Sequence, residues 1–425
     1  MDSQGSRHPF KIAVVGGGIG GLFCSLAIHH HCTEAGTSID IDVYEQASHY
    51  KEIGAGIGVG INAARLYHKL GIGQKLNAVA GTGNGVWITF RRFDNSEEIL
   101  TLPSDDNAAI RQAPCARSDL LDLLRETIDS RRAATLHTKK ALKRVEDFQD
   151  RVRLHFADSS IVEANMVIAC DGIHSAVRSQ FVVDNAIFSG QIAYRGVIPI
   201  KSIPFWPFDT YRVAWLAKHR HLLVSPMAAN KSLNIVAFVT KSESEVADVK
   251  ESWTSTCERK DAVDDFAGFD EPAQQVIRLL PEKPSKWKIN DRLPLNQWHY
   301  MGGKVVLLGD AAHAMLPHLG AGAGQAVEDA WVLGRAFGDF LAGAKNEHFA
   351  SLERMAQLYQ DVRLPRAQKV QRTSRLAGDT YEFQAEDMKD KTLEECIPIM
   401  AERTSERMKW VWEEDLDAAY EKARG

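Results

Sequence analysis

Short apolar runs and glycine clusters alternate along the first part of the chain. Lys11–Val15 (KIAVV) reads as a buried strand that stops at GlyGlyGlyIleGlyGly, and apolar sequence with helical character follows through Ile28. A second strand-like run, IDIDVYE, occupies 39–45. Strand, glycine turn, helix and strand in this order form a βαβ unit of the dinucleotide-binding type. A second glycine run, GAGIGVG at 54–60, leads into the helical pattern NAARLYHKLG, and RSDLLDLLRETI from Arg117 repeats its apolar residues at helical spacing. VRLHFADSSIVEA at 152–164 alternates and turns at AspSerSer as a hairpin does, with the strand MVIACDG behind it.

From 183 to 289 the pattern changes to strand-like runs, IAYRGVIPI, YRVAWLA, HLLVSPM and LNIVAFVT, with few helices between them. At Lys304 the N-terminal pattern of strand and glycine resumes: KVVLLGD feeds the glycine-rich stretch GDAAHAMLPHLGAGAGQAVEDA at 309–330. Beyond Ala330 the sequence is polar and helical, with Trp410 and Trp412 as packing residues. The predicted fold is α/β. A Rossmann-like nucleotide domain is discontinuous over 9–80, 108–182 and 290–370, and a mixed β-sheet substrate domain, 81–107 and 183–289, is inserted in it. Residues 371–425 form a C-terminal helical segment.

With 425 residues the chain exceeds the size at which a single core stops growing, as this division requires. Hydrophobic residues at 44% and charged residues at 25% fit an ordinary globular protein. A net charge of −5 argues against nucleic acid and anionic membrane surfaces and favours a small-molecule partner. The longest apolar stretch, Val14–Ile28, is too short and too rich in glycine to span a bilayer. Six cysteines without any CxxC pair read as reduced packing residues, which suits a cytoplasmic location. His29, His30 and His31 diverge on a helix, so they are expected to be a solvated helix end, and no metal centre is expected.

Gly16, Gly18 and Gly21 fit GxGxxG immediately after a strand: the first for the tight turn, the second for approach to a pyrophosphate, the third for helix–strand packing. Glu45 ends the second strand, where an acid accepts hydrogen bonds from an adenosine ribose; it lies 24 residues after Gly21. These features suit FAD and NAD alike.

Further segments separate the two. VVGGGIGGL with Glu45, EIGAGIGVGINAARLYHKLG, the helix opened by Arg117, CDGIHSAVR at 170–178, AYRG at 193–196 and GDAAHAMLPHLGAGAGQAVEDA stand in the order of the group A flavoprotein aromatic hydroxylases. The chain resembles that family, and within it the salicylate hydroxylase branch; RLPRAQKVQRTSR at 363–375 extends the likeness. The resemblance implies a permanently held FAD, NADH or NADPH as visiting co-substrate, O2, and a small aromatic substrate, in a monomer or homodimer. It implies that Asp310 accepts hydrogen bonds from ribityl hydroxyls and that Gly320–Gly324, with Gly322, Ala323 and Gly324 at a helix start, bring bare amides to the pyrimidine edge of the flavin. Asp171 would order backbone near the pyrophosphate, and Arg117 would reach the phosphate and ribityl region.

For the substrate, the likeness makes His318 the residue that contacts the phenol and favours phenolate, with His313 as structural support. Arg195 and Tyr194 would stand near flavin and substrate, and Trp215 and Ser225 would line the pocket. Lys241 follows LNIVAFVT where the branch supplies a guanidinium for a substrate carboxylate, an exchange that is not conservative. Salicylate converted to catechol with loss of carbon dioxide is the sharpest expectation. Hydroxylation of a hydroxybenzoate or orcinaldehyde type of phenol without decarboxylation is the alternative.

Overall fold

The computed structural model describes residues 9–50, 56–81, 84–227, 230–249, 255–343 and 347–425. Ile12, Ala13 and Val14 have no exposed surface, because Phe10–Val15 lies inside a six-stranded sheet. The sheet order is His299–Tyr300, Val305–Leu307, Met166–Ala169, Phe10–Val15, Ile39–Tyr44, Thr135–His137. All pairings are parallel except the antiparallel edge made by His299–Tyr300. A parallel sheet is covered on both faces, which is why its strands read as unbroken apolar runs. The helices Ile19–Glu34 and Gly322–Leu341 pack so closely that a Cβ on Gly334 would stand 2.9 Å from the Ala27 carbonyl carbon.

A seven-stranded sheet carries the alternating segments, in the order Ser285–Asp291, Ile187–Pro199, Ser232–Thr240, Arg220–Met227, Val213–Ala217, Val86–Arg92, Glu98–Pro103. Only Val213–Ala217 with Val86–Arg92 is parallel. Alternation sorts its side chains onto two faces. Tyr194, Trp215, Leu222, Ile235 and Ala237 point outward to a core shared with Ala262, Val276 and Ile277 of two short helices. Ala193, Val236 and Phe238 point the other way, toward Leu316 and the nucleotide domain.

Strands from 10–44, 135–137, 166–169 and 299–307 share the six-stranded sheet, and strands from 86–103 and 187–291 share the seven-stranded one. The inserted sheet runs to Asp291, two residues past 289, and the 370/371 boundary falls inside one helix, Leu352–Tyr381. That helix, with Leu393–Glu413, packs against Phe90, Leu102 and Leu216 of the inserted sheet, so the C-terminal segment braces both domains. The start of the second glycine run, 52–55, lies outside the described residues. Among the described residues no helix is long and apolar enough to cross a membrane.

The histidine run differs from the expectation of three diverging side chains. His30, His31 and Glu34 bring ligand-type atoms within 4.8 Å of one another at the end of the first helix. His31 is packed edge-on against Trp331 at 4.5 Å, and burial, with the neighbouring His30, Arg335 and Lys69, pushes its pKa down to about 3.

Candidate active site

The first glycine turn closes on itself. Gly16 has φ +104°, and a Cβ there would stand 2.3 Å from the Cys170 carbonyl oxygen; a Cβ at Gly21 would stand 2.0 Å from the Gly16 oxygen. Only bare backbone fits either position. Glu45 is fixed beside the turn, its Oε2 accepting from the Gly17 amide and its Oε1 from the Ala47 amide, each at 2.8 Å. Asp171 packs behind Gly16, and its Oδ2 accepts from the amides of Ala176 (2.8 Å) and Val177 (3.3 Å).

Arg117 opens the helix Arg117–Arg131 and lies over the turn; a Cβ on Gly18 would be 3.7 Å from its Nη2. Burial lowers its pKa, against the pull of the Asp310 and Glu45 carboxylates. Arg117 thus lies within the electrostatic field of both acids of the cleft. Asp310 begins a single helical turn after Gly309. Its surface is exposed, yet enough protein surrounds it for burial to raise its carboxyl pKa, opposed by His313 and Arg117. Those two properties together describe a carboxyl lining a recess.

The start of Gly322–Leu341 borders the same recess: a Cβ on Gly322 would stand 4.0 Å from Asp310 Oδ1. No side chain caps this helix, so its first amides keep their hydrogens for a ligand. Gly324 is next to Asn62, at 3.5 Å from its Nδ2 to a built Cβ, and Ala323 lies between the two glycines. A glycine cradle, two acids within electrostatic reach of one arginine and an uncapped helix N-terminus are the donors and acceptors that a dinucleotide flavin needs. The residues fit FAD.

Beneath the recess lies a buried charge network that the sequence pattern does not announce. Asp329 Oδ2 accepts from the Gly309 amide at 3.0 Å and pairs with His313 Nε2 at 2.6 Å, while Oδ1 accepts from Arg363 Nε at 2.8 Å. Burial pushes Asp329 upward, but His313 and Arg363 bring it down to about 2. Glu328 accepts from Arg363, Arg366 and Asn62 at 2.6–2.8 Å. Its trace in the sequence is GQAVEDA, whose charges stand in the buried stretch Gly324–Gly334 of Gly322–Leu341, and RLPRAQ, on the long helix Leu352–Tyr381 that meets it.

The inserted sheet supplies the other wall. Gln191, Ala193 and Arg195 alternate onto one face of Ile187–Pro199, about 13 Å from first to last. His318 stands over the Gln191 end: its Nε2 is 2.8 Å from Gln191 Oε1, and its ring is 5.0 Å from Phe238. The long helix closes on it, since a Cβ at Gly378 would be 2.6 Å from the imidazole. Its Nδ1 is buried with no protein partner. Burial, then the charges of His221 and Arg375, push its pKa well below the usual histidine range. The ring is neutral at neutral pH.

Arg195 holds the other end. Its Nε donates to Asn234 Oδ1 and its Nη2 to the Gly56 carbonyl, both at 3.2 Å, and burial, then Arg117, brings its pKa down to about 10. Among the described residues no carboxylate pairs with it. Ser225 is the strand partner of Asn234 and shares this face.

Three expected pocket residues are elsewhere. Tyr194, Trp215 and Lys241 fall on the opposite face by strand parity. The Tyr194 hydroxyl donates to Asp265 Oδ2 and Lys241 Nζ to Asp265 Oδ1, both at 2.7 Å; Trp215 Nε1 donates to Ser96 Oγ at 2.8 Å. Tyr194 and Lys241 tie the helix Arg259–Asp265 to the sheet, Trp215 ties down the turn at Ser96, and none of the three meets His318.

A family model described as an FAD binding domain matches residues 10–374, which span the cradle, Asp310 and the sheet wall. The chain belongs to the FAD-dependent aromatic monooxygenases. This hydroxylase is 31% identical to a salicylate hydroxylase of Pseudomonas putida over 99% of its length and 96% of the relative's. It is 32% identical to a 3-amino-4-hydroxybenzoate 2-monooxygenase of Streptomyces platensis over 97% and 98% of the two chains. A 6-hydroxynicotinate 3-monooxygenase of Bordetella bronchiseptica is 33% identical, with 86% and 90% covered. The solved structure of a salicylate hydroxylase substrate complex superposes with a TM-score of 0.80 at 26% identity, covering 98% of each chain.

Proposed function

We propose that the hydroxylase acts on a small phenolic acid, with decarboxylating hydroxylation of salicylate as its reaction. Salicylate, NAD(P)H, O2 and two protons give catechol, CO2, NAD(P)+ and water. FAD, when bound, supplies the hydride acceptor and the activation of oxygen. The single observation that carries the reading is His318: a buried, neutral imidazole with an unpartnered Nδ1 on the sheet face that also presents an arginine without a carboxylate partner.

His318 Nδ1 accepts the hydrogen bond of the substrate hydroxyl, drawing density onto the ring carbons ortho to it. A neutral acceptor suits this role, because an imidazolium could only donate. Arg195 offers the substrate carboxylate a cation, the part that the family likeness gives to Lys241. Ala193 is the small residue of this face and leaves room for a ring, and Val236 and Phe238 give it an apolar floor that excludes water. The similarity to salicylate hydroxylases across nearly the whole chain supports the same substrate class.

The exile of Lys241 to the far face favours one second reading, hydroxylation of a phenol without loss of a carboxyl group. Product analysis separates them: catechol with CO2 supports salicylate 1-monooxygenase chemistry, and a product that retains the carboxyl group supports the alternative.

A further inference from the structure

The substrate-facing side of the inserted sheet holds a second histidine that the scheme above leaves unused. His221, on Arg220–Met227, is 4% exposed and stacks on its cross-strand neighbour Phe238 at 4.5 Å and 14°. Its Nδ1 is 2.9 Å from Glu382 Oε1, and Thr240 Oγ1 donates to Glu382 Oε2 at 2.5 Å. Glu382, just past the long helix, has no exposed surface. Among the described residues neither lysine nor arginine pairs with its carboxylate; the titratable group that meets it is His221. The rings of His221 and His318 are 5.4 Å apart.

A carboxylate sealed from water is costly unless a cation accompanies it. An added proton makes the His221–Glu382 pair neutral overall, and on His221 it places a positive charge beside His318. The other charged groups nearby are few. Arg375 acts on His318 from the long helix; Asp379 on that helix interacts with Arg375 and Glu382; the Tyr381 ring is 5.8 Å from His221 and is influenced in turn by Arg407.

We propose that His221, kept protonated by Glu382, is a positioning residue for the hydroxylation: its charge, 5.4 Å from the His318 ring, adds to burial in keeping a second proton off that ring, so that His318 Nδ1 stays open to the substrate hydroxyl. The inference rests on the reading of His318 as the phenol's partner. It also follows that His318 is an acceptor over the whole neutral range and that removing the His221 charge narrows that range from the acid side.

The test is the pH profile of kcat/KM for phenol-stimulated NAD(P)H oxidation in FAD-loaded wild type, Glu382→Gln and His221→Gln. Both substitutions remove the positive charge. Both are expected to move the acid limb upward by about one pH unit, less than the effect of a single bare charge at this separation in a medium of effective dielectric near 20, because the Glu382 carboxylate offsets part of it. The loss is confined to the acid side. An equal loss at every pH would overturn the proposal, since a purely structural role gives that pattern. Histidine-selective ring ¹⁵N spectra of the wild-type holoenzyme at pH 7, assigned with His318→Asn, decide the same point without touching the pair. The proposal expects both His221 nitrogens protonated and one bare nitrogen on His318; a neutral His221 overturns it. If phenolic acids fail to stimulate the wild type, the assigned role of His318 falls instead, and the spectra still report the charge.

Discussion

Asp329 holds His313 and the Gly309 amide on a single carboxylate oxygen, at 2.6 and 3.0 Å. Gly309 precedes Asp310, so this one atom sets where the Asp310 carboxyl enters the recess. Asp329→Asn is expected to lower FAD occupancy although Asp329 lies beneath the recess, and to destabilise the fold by about 3–5 kcal/mol, the usual effect of removing one partner of a buried ion pair. Flavin absorbance against protein concentration and a thermal melt measure the two effects. Retention of both would mean that the network is dispensable.

The same carboxylate fixes a pH dependence. Asp329 is held at about 2, below its unfolded value, so its contribution to stability is complete above about pH 4 and is lost as pH falls toward 2. Melting temperature measured from pH 6 down to pH 2.5 should fall more steeply in wild type than in Asp329→Asn. Parallel curves would remove Asp329 from the account.

Asp310→Ala takes away the acid that lines the recess but leaves the buried network whole. We expect a folded protein with unchanged far-ultraviolet circular dichroism and little bound FAD. Full flavin occupancy in this variant would refute the assignment of the recess.

The two faces of the inserted sheet make opposite predictions. Arg195→Gln should raise KM for carboxylated phenols about tenfold or more while uncarboxylated phenols change little. Lys241→Gln breaks the contact to Asp265 on the outer face, so KM should stay within about twofold while the melting temperature drops modestly. A larger KM effect at Lys241 than at Arg195 would reverse the assignment.

Much of this architecture is legible in the chain itself. The strand–glycine–helix order around Gly16, the acid at Glu45 and the helix opened by Arg117 are local, and local geometry enforces them. The pocket is less legible because it depends on strand parity. Tyr194 and Arg195 are neighbours in AYRG, yet one residue of register sends them to opposite faces. Parity likewise takes Trp215 and Lys241 out of the pocket that the family likeness assigns them. His221 and Glu382 lie 161 residues apart, and no local pattern announces their meeting.

His318→Leu removes the acceptor with little change in volume. It should reduce kcat/KM by about a hundredfold or more while the flavin spectrum stays that of wild type. Wild-type activity with the same substrate should show no acid limb from His318 near the usual histidine pH, because the ring is already neutral there.

The central claim is most directly tested by giving the FAD-loaded protein salicylate, NADH or NADPH and ¹⁸O2. The account predicts catechol carrying one ¹⁸O atom, released one for one with CO2 and with NAD(P)H consumed. Consumption of NAD(P)H with hydrogen peroxide as the sole product, or an oxygenated product that keeps the carboxyl group, would contradict it.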